Sequence, residues 1–292
     1  MLRQKTEYIV KERGVEIKAT DVKVLKDRMG AGLMDCKKAL IEAGGDITEA
    51  EKLLKKKGMA KAARKSTREA TEGAVCLYVS EDEKTAGLVE VKCETDFVAR
   101  SDVFQQFIRD FAYGVMEASL VNVTGVQLDV VSVSGKPVQD ARHAAILKLG
   151  ENIQLSRATT ISTEGVLYGY RHGNKIAVVV ALEKADQQLG KDIAMHIAAL
   201  SPAAVTVADI PAAVMQEERM IYEAQLQDDK KSDEIKQRII EGKLKKFASG
   251  ICLYGQPFVK SPKETIEAVL HKQENSVINF IRYELGEASS GS

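Results

Sequence analysis

Charge of one sign is not in excess in this chain. Lys+Arg and Asp+Glu both number 42, so no whole-molecule field argues for nucleic acid or a membrane surface as the main partner. Cysteine is sparse. Cys36, Cys76, Cys93 and Cys252 are scattered, with no C-x-x-C and no His/Cys cluster at metal-ligand spacing, a pattern that fits free thiols in a reducing compartment. Long hydrophobic runs are missing as well. The longest, Ile176 to Leu182, is far too short to span a bilayer, and the opening Met1-Leu2-Arg3-Gln4-Lys5-Thr6-Glu7 has no apolar signal core, so the expected location is cytoplasmic, with no membrane partner.

The motifs of nucleotide and metal chemistry are absent too. Gly135-Lys136 is followed by Pro137, and Gly190-Lys191 by Asp192 with no glycine five positions upstream, so there is no phosphate-binding G-x-x-x-x-G-K-[ST] loop. Gly30-Ala31-Gly32 continues into Leu33-Met34-Asp35 without the third glycine of a dinucleotide fingerprint. His143, His172, His196 and His271 lie far apart with no H-E-x-x-H. Nothing pairs a nucleophile with a base, so an enzyme that breaks bonds is the disfavoured class, and no cofactor and no metal are expected.

What is present is a globular balance: 292 residues, 45% hydrophobic and 29% charged, enough for two or three compact units. Residues 18–58 read as a three-helix module. Thr20 is placed to cap a first helix carrying Val22, Leu25 and Met29, and Gly30 to end it. A second helix carries Leu33, Cys36 and Leu40. Asp46 followed by Glu49 opens a third, with Ile47, Ala50, Leu53 and Leu54 inward, that ends before Gly58. The shape resembles a ubiquitin-associated domain, a docking module, and it reads as sequence-local with little connection to the rest.

Residues 1–70 hold 18 Lys/Arg against 11 Asp/Glu. Much of that surplus lies in Lys55-Lys56-Lys57, Lys61, Arg64-Lys65 and Arg68, within a basic linker placed at 59–70 and the helix before it. The cations are interleaved with alanine, not with aromatics on which bases stack, so a solvated helical linker is favoured over a nucleic-acid patch.

From residue 72 the period changes to that of a hairpin: Glu72 to Val79, a polar turn Ser80 to Lys84, then Gly87 to Cys93. An amphipathic helix follows with Phe104, Phe107, Ile108, Phe111 and Val115 inward and Ser101 as cap. The pattern returns at Glu164 to Tyr170, the turn Arg171-His172-Gly173-Asn174, and Lys175 to Leu182, leading into a helix with Ile193, His196, Ile197 and Leu200. Two such successions, each starting Glu-Gly, point to an internal duplication and an α+β fold of two similar subdomains. His196, on an apolar helix face, reads as a satisfied core histidine.

Residues 210–247 read as two helices about Asp228-Asp229-Lys230-Lys231-Ser232, with Val214, Ile221 and Ala224 facing Ile235 and Ile239 across a thin seam. Ile251 to Val259 reads as strand and turn, and Val277 to Glu284 as a closing strand of the second subdomain. The expected organisation is therefore an extension at 1–17, the helical module at 18–58, the linker at 59–70 and one core subdomain at 71–157. The second occupies 158–209 and 248–287, interrupted by the projecting hairpin, before a tail at 288–292.

Thr95-Asp96-Phe97-Val98 sits where a buried strand hands over to a helix, and Phe97 falls outside the core spacing that begins at Phe104. A large apolar residue there is either a local staple or a plug aimed at a partner, and spacing alone favours the staple.

With this corner the sequence resembles the bacterial translation elongation factor Ts family, which promotes GDP release from elongation factor Tu. The resemblance runs from about residue 18 to 287 through ordered blocks: Arg28 to Leu40, Gly45-Asp46-Ile47, Glu94 to Ala99, Leu149 to Ile153, Ile193 to Ala199, Glu241 to Phe247 and Gly255 to Val259. It implies that Asp96 and Phe97, within Thr95 to Val98, enter the GTPase domain of elongation factor Tu beside its magnesium site. It also implies that Leu33, Met34 and Lys37 dock on the same domain and that His172 lies on the partner-facing surface, although a turn histidine is ordinarily just solvated. The partner would be GDP-bound, then nucleotide-free, with no small-molecule substrate. The family's usual further helical module at the carboxyl end has no counterpart before Ser292. The rival reading is an RNA-binding adaptor using Lys55 to Arg68.

Overall fold

A computed structural model describes residues 9–12, 15–227, 229 and 231–287. They form two compact units, one within Met1–Tyr78, Gly87–Thr160 and Leu285–Ser292, the other Val79–Ala86 with Ile161–Glu284.

The first unit opens with β1 (Ile9–Glu12) and β2 (Val15–Lys18), paired antiparallel with Ile9 opposite Lys18. The rest of the expected extension, the tail 288–292, and Asp228 and Lys230 of the expected polar turn lie outside the described residues. β2 runs straight into α1 (Ala19–Met29), so Lys18 takes the cap position and makes no side-chain cap bond. Thr20 is thus not the cap but a first-turn residue, bonded to the Asp21 carboxylate at 3.3 Å. α1 ends at Gly30 in the left-handed region, as expected.

α2 (Leu33–Glu42) follows, then α3 (Ile47–Lys65), whose cap Asp46 accepts from the amides of Thr48 at 2.7 Å and Glu49 at 3.0 Å. α3 does not stop before Gly58. It runs to Lys65, and most of the expected linker is helix. Gly58 serves packing instead of termination: a Cβ there would lie 3.2 Å from the His143 carbonyl oxygen, so the missing side chain lets the two backbones approach.

β3 (Glu72–Val79) and β4 (Thr85–Cys93) form the expected hairpin, closed by the Ser80 amide on the Thr85 carbonyl at 2.8 Å. A short α4 (Asp96–Arg100) precedes α5 (Asp102–Glu117), capped by Ser101, with Phe104, Ile108, Phe111 and Val115 fully buried. β5 (Val123–Thr124), β6 (Ser132–Val133) and β7 (Lys136–Pro137) are brief. α6 (Val138–Leu149) then leads to β8 (Ile153–Ser162), which spans the boundary expected at 157/158 and joins a sheet ordered β3-β4-β8-β5.

α5, α6 and the sheet enclose one core. The helical module has its own, built on Leu25, Cys36, Leu40 and Leu54, but Leu147 of α6 completes it, and Ala62 of α3 lies in the sheet's core. The module is therefore continuous with the first unit, contrary to the expectation from its local caps.

In the second unit β9 (Val166–His172) pairs antiparallel with β10 (Ile176–Leu182), His172 opposite Ile176. Arg171 and His172 accordingly belong to the strand, not the turn. α7 (Gln187–Leu200) covers this hairpin. α8 (Ala212–Gln225) and α9 (Asp233–Ile251) make the helical hairpin, and no residue of α8 is fully buried. Ile251 ends α9 where a strand was expected, and the strand proper is only β11 (Pro257–Phe258), paired with β12 (Ser261–Thr265). After α10 (Ile266–Lys272), β13 (Val277–Glu284) returns beside β10, giving the order β13-β10-β9.

Both hairpins begin at a glycine for one reason. A Cβ on Gly73 would stand 2.2 Å from the Val91 carbonyl oxygen, and one on Gly165 2.0 Å from that of Leu182. Neither strand could close on its neighbour with a side chain there.

Candidate functional site

The corner after β4 is organised by Thr95. Its backbone is extended, and its hydroxyl accepts from the Val98 amide at 3.3 Å, capping the five-residue α4. Inward, Ala99 is 2% exposed and Val98 packs against the sheet's core. The Ser101 hydroxyl donates to the Val98 carbonyl at 2.8 Å, and the Gln105 side chain donates through Nε2 to the Ala99 carbonyl at 2.6 Å, closing the helix at its far end. Outward, Phe97 is 83% exposed. The staple reading favoured by spacing is thereby overturned: the ring packs into no interior, because a single helical turn anchored through Val98 and Ala99 leaves the preceding side chain facing water. Asp96 lies beside it, partly exposed and paired with Arg100 at 3.1 Å.

The corner is held from a distant stretch of chain. Glu151, in the loop after α6, accepts from the Thr95 amide at 3.0 Å and from its hydroxyl at 2.6 Å. In return Glu94 accepts from the Asn152 amide at 2.6 Å, which holds the Glu94 carboxyl below its usual pKa. Arg68 adds an ion pair to Glu94 at 3.3 Å, and the Asn152 side chain donates to the Arg68 carbonyl at 2.8 Å. Beneath, burial and then the Glu151 charge push the Cys93 thiol up to about 12, so it stays protonated, donating to the Thr95 carbonyl at 3.2 Å. Glu94, Glu151 and Asn152 were not singled out from sequence, since nothing in their spacing reports a pairing across more than fifty residues.

The other expected contact residues sit elsewhere. Leu33 and Met34 open α2 and are 57% and 60% exposed, with Lys37 on the next turn. His172 ends β9, exposed, its Nδ1 3.4 Å from the Tyr170 hydroxyl. It belongs to the second unit, and the remaining contact residues to the first.

The basic stretch is engaged with the protein itself. Lys55 pairs with Asp140 at 3.4 Å, Lys57 with Glu42 at 3.1 Å and Lys61 with Asp35 at 3.5 Å, while Lys65 donates to the Gly150 carbonyl. His196 is a satisfied core group: it accepts from the Val259 amide at Nδ1, 3.3 Å, so Nε2 carries the proton toward Gln256 Oε1 at 3.0 Å. The four cysteines are buried, and none is in a disulfide. Among the described residues no cluster of His, Cys, Asp and Glu could hold a metal, and no helix is long and apolar enough to cross a membrane.

Residues 94–287, which begin at this corner, match the family model described as Elongation factor TS. The chain is 43% identical over 274 residues to Elongation factor Ts of Methylococcus capsulatus, covering 94% of this chain and 93% of that protein. It is 41% identical over 271 residues to Elongation factor Ts of Hydrogenovibrio crunogenus and 42% identical over 272 residues to that of Nitrosomonas eutropha. Each of these covers 93% of this chain and 92% of the relative.

Proposed function

The chain belongs to the elongation factor Ts family of translation elongation factors, and from that premise we propose that it is a guanine-nucleotide exchange factor that binds GDP-bound elongation factor Tu and releases the nucleotide. The observation that carries this reading is Phe97: a ring 83% exposed, on a helix too short to stand alone, yet held at both ends.

Exchange makes and breaks no covalent bond. The factor stabilises a partner state that holds nucleotide weakly, and the coupling is reciprocal, so whatever loosens GDP through the factor lets GDP loosen the factor. Magnesium is the efficient lever because it demands near-ideal octahedral oxygen geometry. In this reading Phe97 wedges beside the magnesium site and displaces its frame, while Asp96 engages the polar groups left behind.

Magnitudes require further contacts. A thousandfold faster release requires about 4 kcal/mol off the barrier, whereas burying one phenylalanine contributes roughly 1.5 to 3 kcal/mol. The wedge alone cannot both anchor the complex and distort the site. Docking through Leu33, Met34 and Lys37 on α2, and through His172 on β9, supplies the remainder.

The rival reading, an RNA-binding adaptor using Lys55 to Arg68, is disfavoured because Lys55, Lys57, Lys61, Lys65 and Arg68 all have partners within the protein. Release of fluorescent GDP from purified elongation factor Tu, followed by stopped flow with and without the protein, tests the proposal. Acceleration that saturates with concentration is expected. No acceleration, together with RNA binding of steep salt dependence, would favour the rival.

A further inference from the structure

We propose that Glu151 is a positioning residue for the Phe97 corner, with Glu94 as its counterpart across a reciprocal carboxylate clamp. The inference rests on the exchange reading for its consequence, but its structural half stands independently.

A single helical turn is unstable by itself, since nucleation fixes several residues for one hydrogen bond. α4 has five residues, so its shape depends on its caps. The N-terminal cap is the Thr95 hydroxyl, which has one proton and two acceptor lone pairs and rotates freely unless its proton is claimed. Glu151 Oε1 claims it at 2.6 Å, and the same carboxylate takes the Thr95 amide at 3.0 Å. With the proton committed, a lone pair is left for the Val98 amide at 3.3 Å. The carboxylate thus fixes the hydroxyl, the hydroxyl fixes the turn, and the turn aims Phe97.

The loop bearing Glu151 is fixed in turn. Its next residue, Asn152, gives its amide to Glu94 at 2.6 Å and its side-chain donor to the Arg68 carbonyl at 2.8 Å, and Lys65 holds the Gly150 carbonyl. Two neighbouring residues of each segment therefore exchange carboxylate-to-amide bonds, the stronger, charge-assisted kind. A backbone held this way need not be ordered when the ring enters a partner, so less of the contact energy is consumed by ordering and more is available for distortion.

The chain has no tryptophan, so Phe97→Trp places a sole indole at the corner. Time-resolved anisotropy of that indole in the free protein should show faster local motion when Glu151→Ala is added, and an intermediate gain with Glu151→Gln, which keeps one acceptor and the side chain's shape. In the otherwise parental protein, Glu151→Ala should lower the maximal rate of GDP release about fivefold, with the half-saturating concentration unchanged. Added to Phe97→Ala, it should cause no further loss. Unchanged indole motion in both Glu151 variants would overturn the clamp. An equal further loss on top of Phe97→Ala would overturn its action through the ring. A parental protein that does not accelerate release would remove the exchange reading instead, leaving the anisotropy to decide the clamp.

Discussion

Phe97 and Ala99 are two residues apart on one helical turn, and one is 83% exposed while the other is 2% exposed. That contrast separates display from anchoring within a single short element. Removing the displayed ring creates no cavity, so Phe97→Ala should leave the thermal midpoint nearly unchanged. A buried ring would cost about 3 to 5 kcal/mol. GDP release at saturating concentration should fall by about tenfold or more, equivalent to roughly 1.4 kcal/mol on the barrier, while the complex still forms. A thermal melt beside a stopped-flow trace checks both halves.

Asp96→Ala should slow release in the same direction. Combined with Phe97→Ala it should be less than additive, because two residues entering one site share one distortion. The double variant's rate, compared with the product of the single effects, measures the coupling, and full additivity would separate their roles.

On α2, Leu33 and Met34 are exposed at the start of the helix while Cys36, Ala39 and Leu40 face inward. Leu33→Ala and Met34→Ala should therefore weaken association with elongation factor Tu, each by about 1 to 2 kcal/mol if they are anchors of the contact, without changing the melt. Titration of the exchange rate against factor concentration separates this from Phe97→Ala: the half-saturating concentration should rise while the plateau holds.

Where side chains obey one period, the elements were legible. α5 shows its phenylalanine stripe, β10 its apolar run, and α3 the Asp46 cap. β8 was not, because Arg157, Thr159 and Thr160 are polar yet buried: Arg157 pairs with Glu90, the Thr159 hydroxyl accepts from the Asn122 amide and the Thr160 hydroxyl donates to the Val115 carbonyl. Polarity that is satisfied by segments distant in sequence has no signature along the chain. Gly58 misled in the opposite way, since a glycine demanded by close packing looks the same in sequence as one that ends a helix. At the corner the tetrapeptide was legible, but its exposure and its clamp depend on residues far away in sequence.

The continuity of α3 with the first unit changes what a truncation does. Deleting residues 1–68 would take Ala62 from the sheet's core, uncover Leu147 and strip Arg68 from Glu94 and Asn152. The remaining chain should therefore lose cooperativity or melt well below the parent by calorimetry. A truncated protein that melted like the parent would restore the picture of an independent module.

Neutralising Lys55, Lys57 and Lys61 to glutamine should cost little, since exposed ion pairs contribute about 0 to 1 kcal/mol each. Arg68→Gln should cost more in exchange than any of them, because its partner Glu94 holds the loop that carries Glu151. Comparing the four single variants by melt and by GDP release checks that order, and an Arg68 variant indistinguishable from the lysine variants would contradict it.

His196 should make stability depend on pH. Burial lowers its pKa in the folded protein, against a weaker opposing effect of Gln256, and burial likewise lowers that of His143. With the folded value below the unfolded one, the unfolded chain takes up protons first as pH falls. Stability is thus fully present above the ordinary histidine pKa of about 6.5 and is lost progressively below it, until the folded pKa is reached. Protonation would also put a hydrogen on Nδ1, where the Val259 amide already donates, so the imidazolium cannot keep that bond. The urea midpoint should drop between pH 7.5 and pH 5.5, before most carboxylates titrate. His196→Gln should be less stable at pH 7.5, leaving the Val259 amide or Gln256 without its partner at a cost of about 1 to 3 kcal/mol, and its midpoint should fall less over the same interval. A variant with the parent's full pH slope would assign the dependence to other groups.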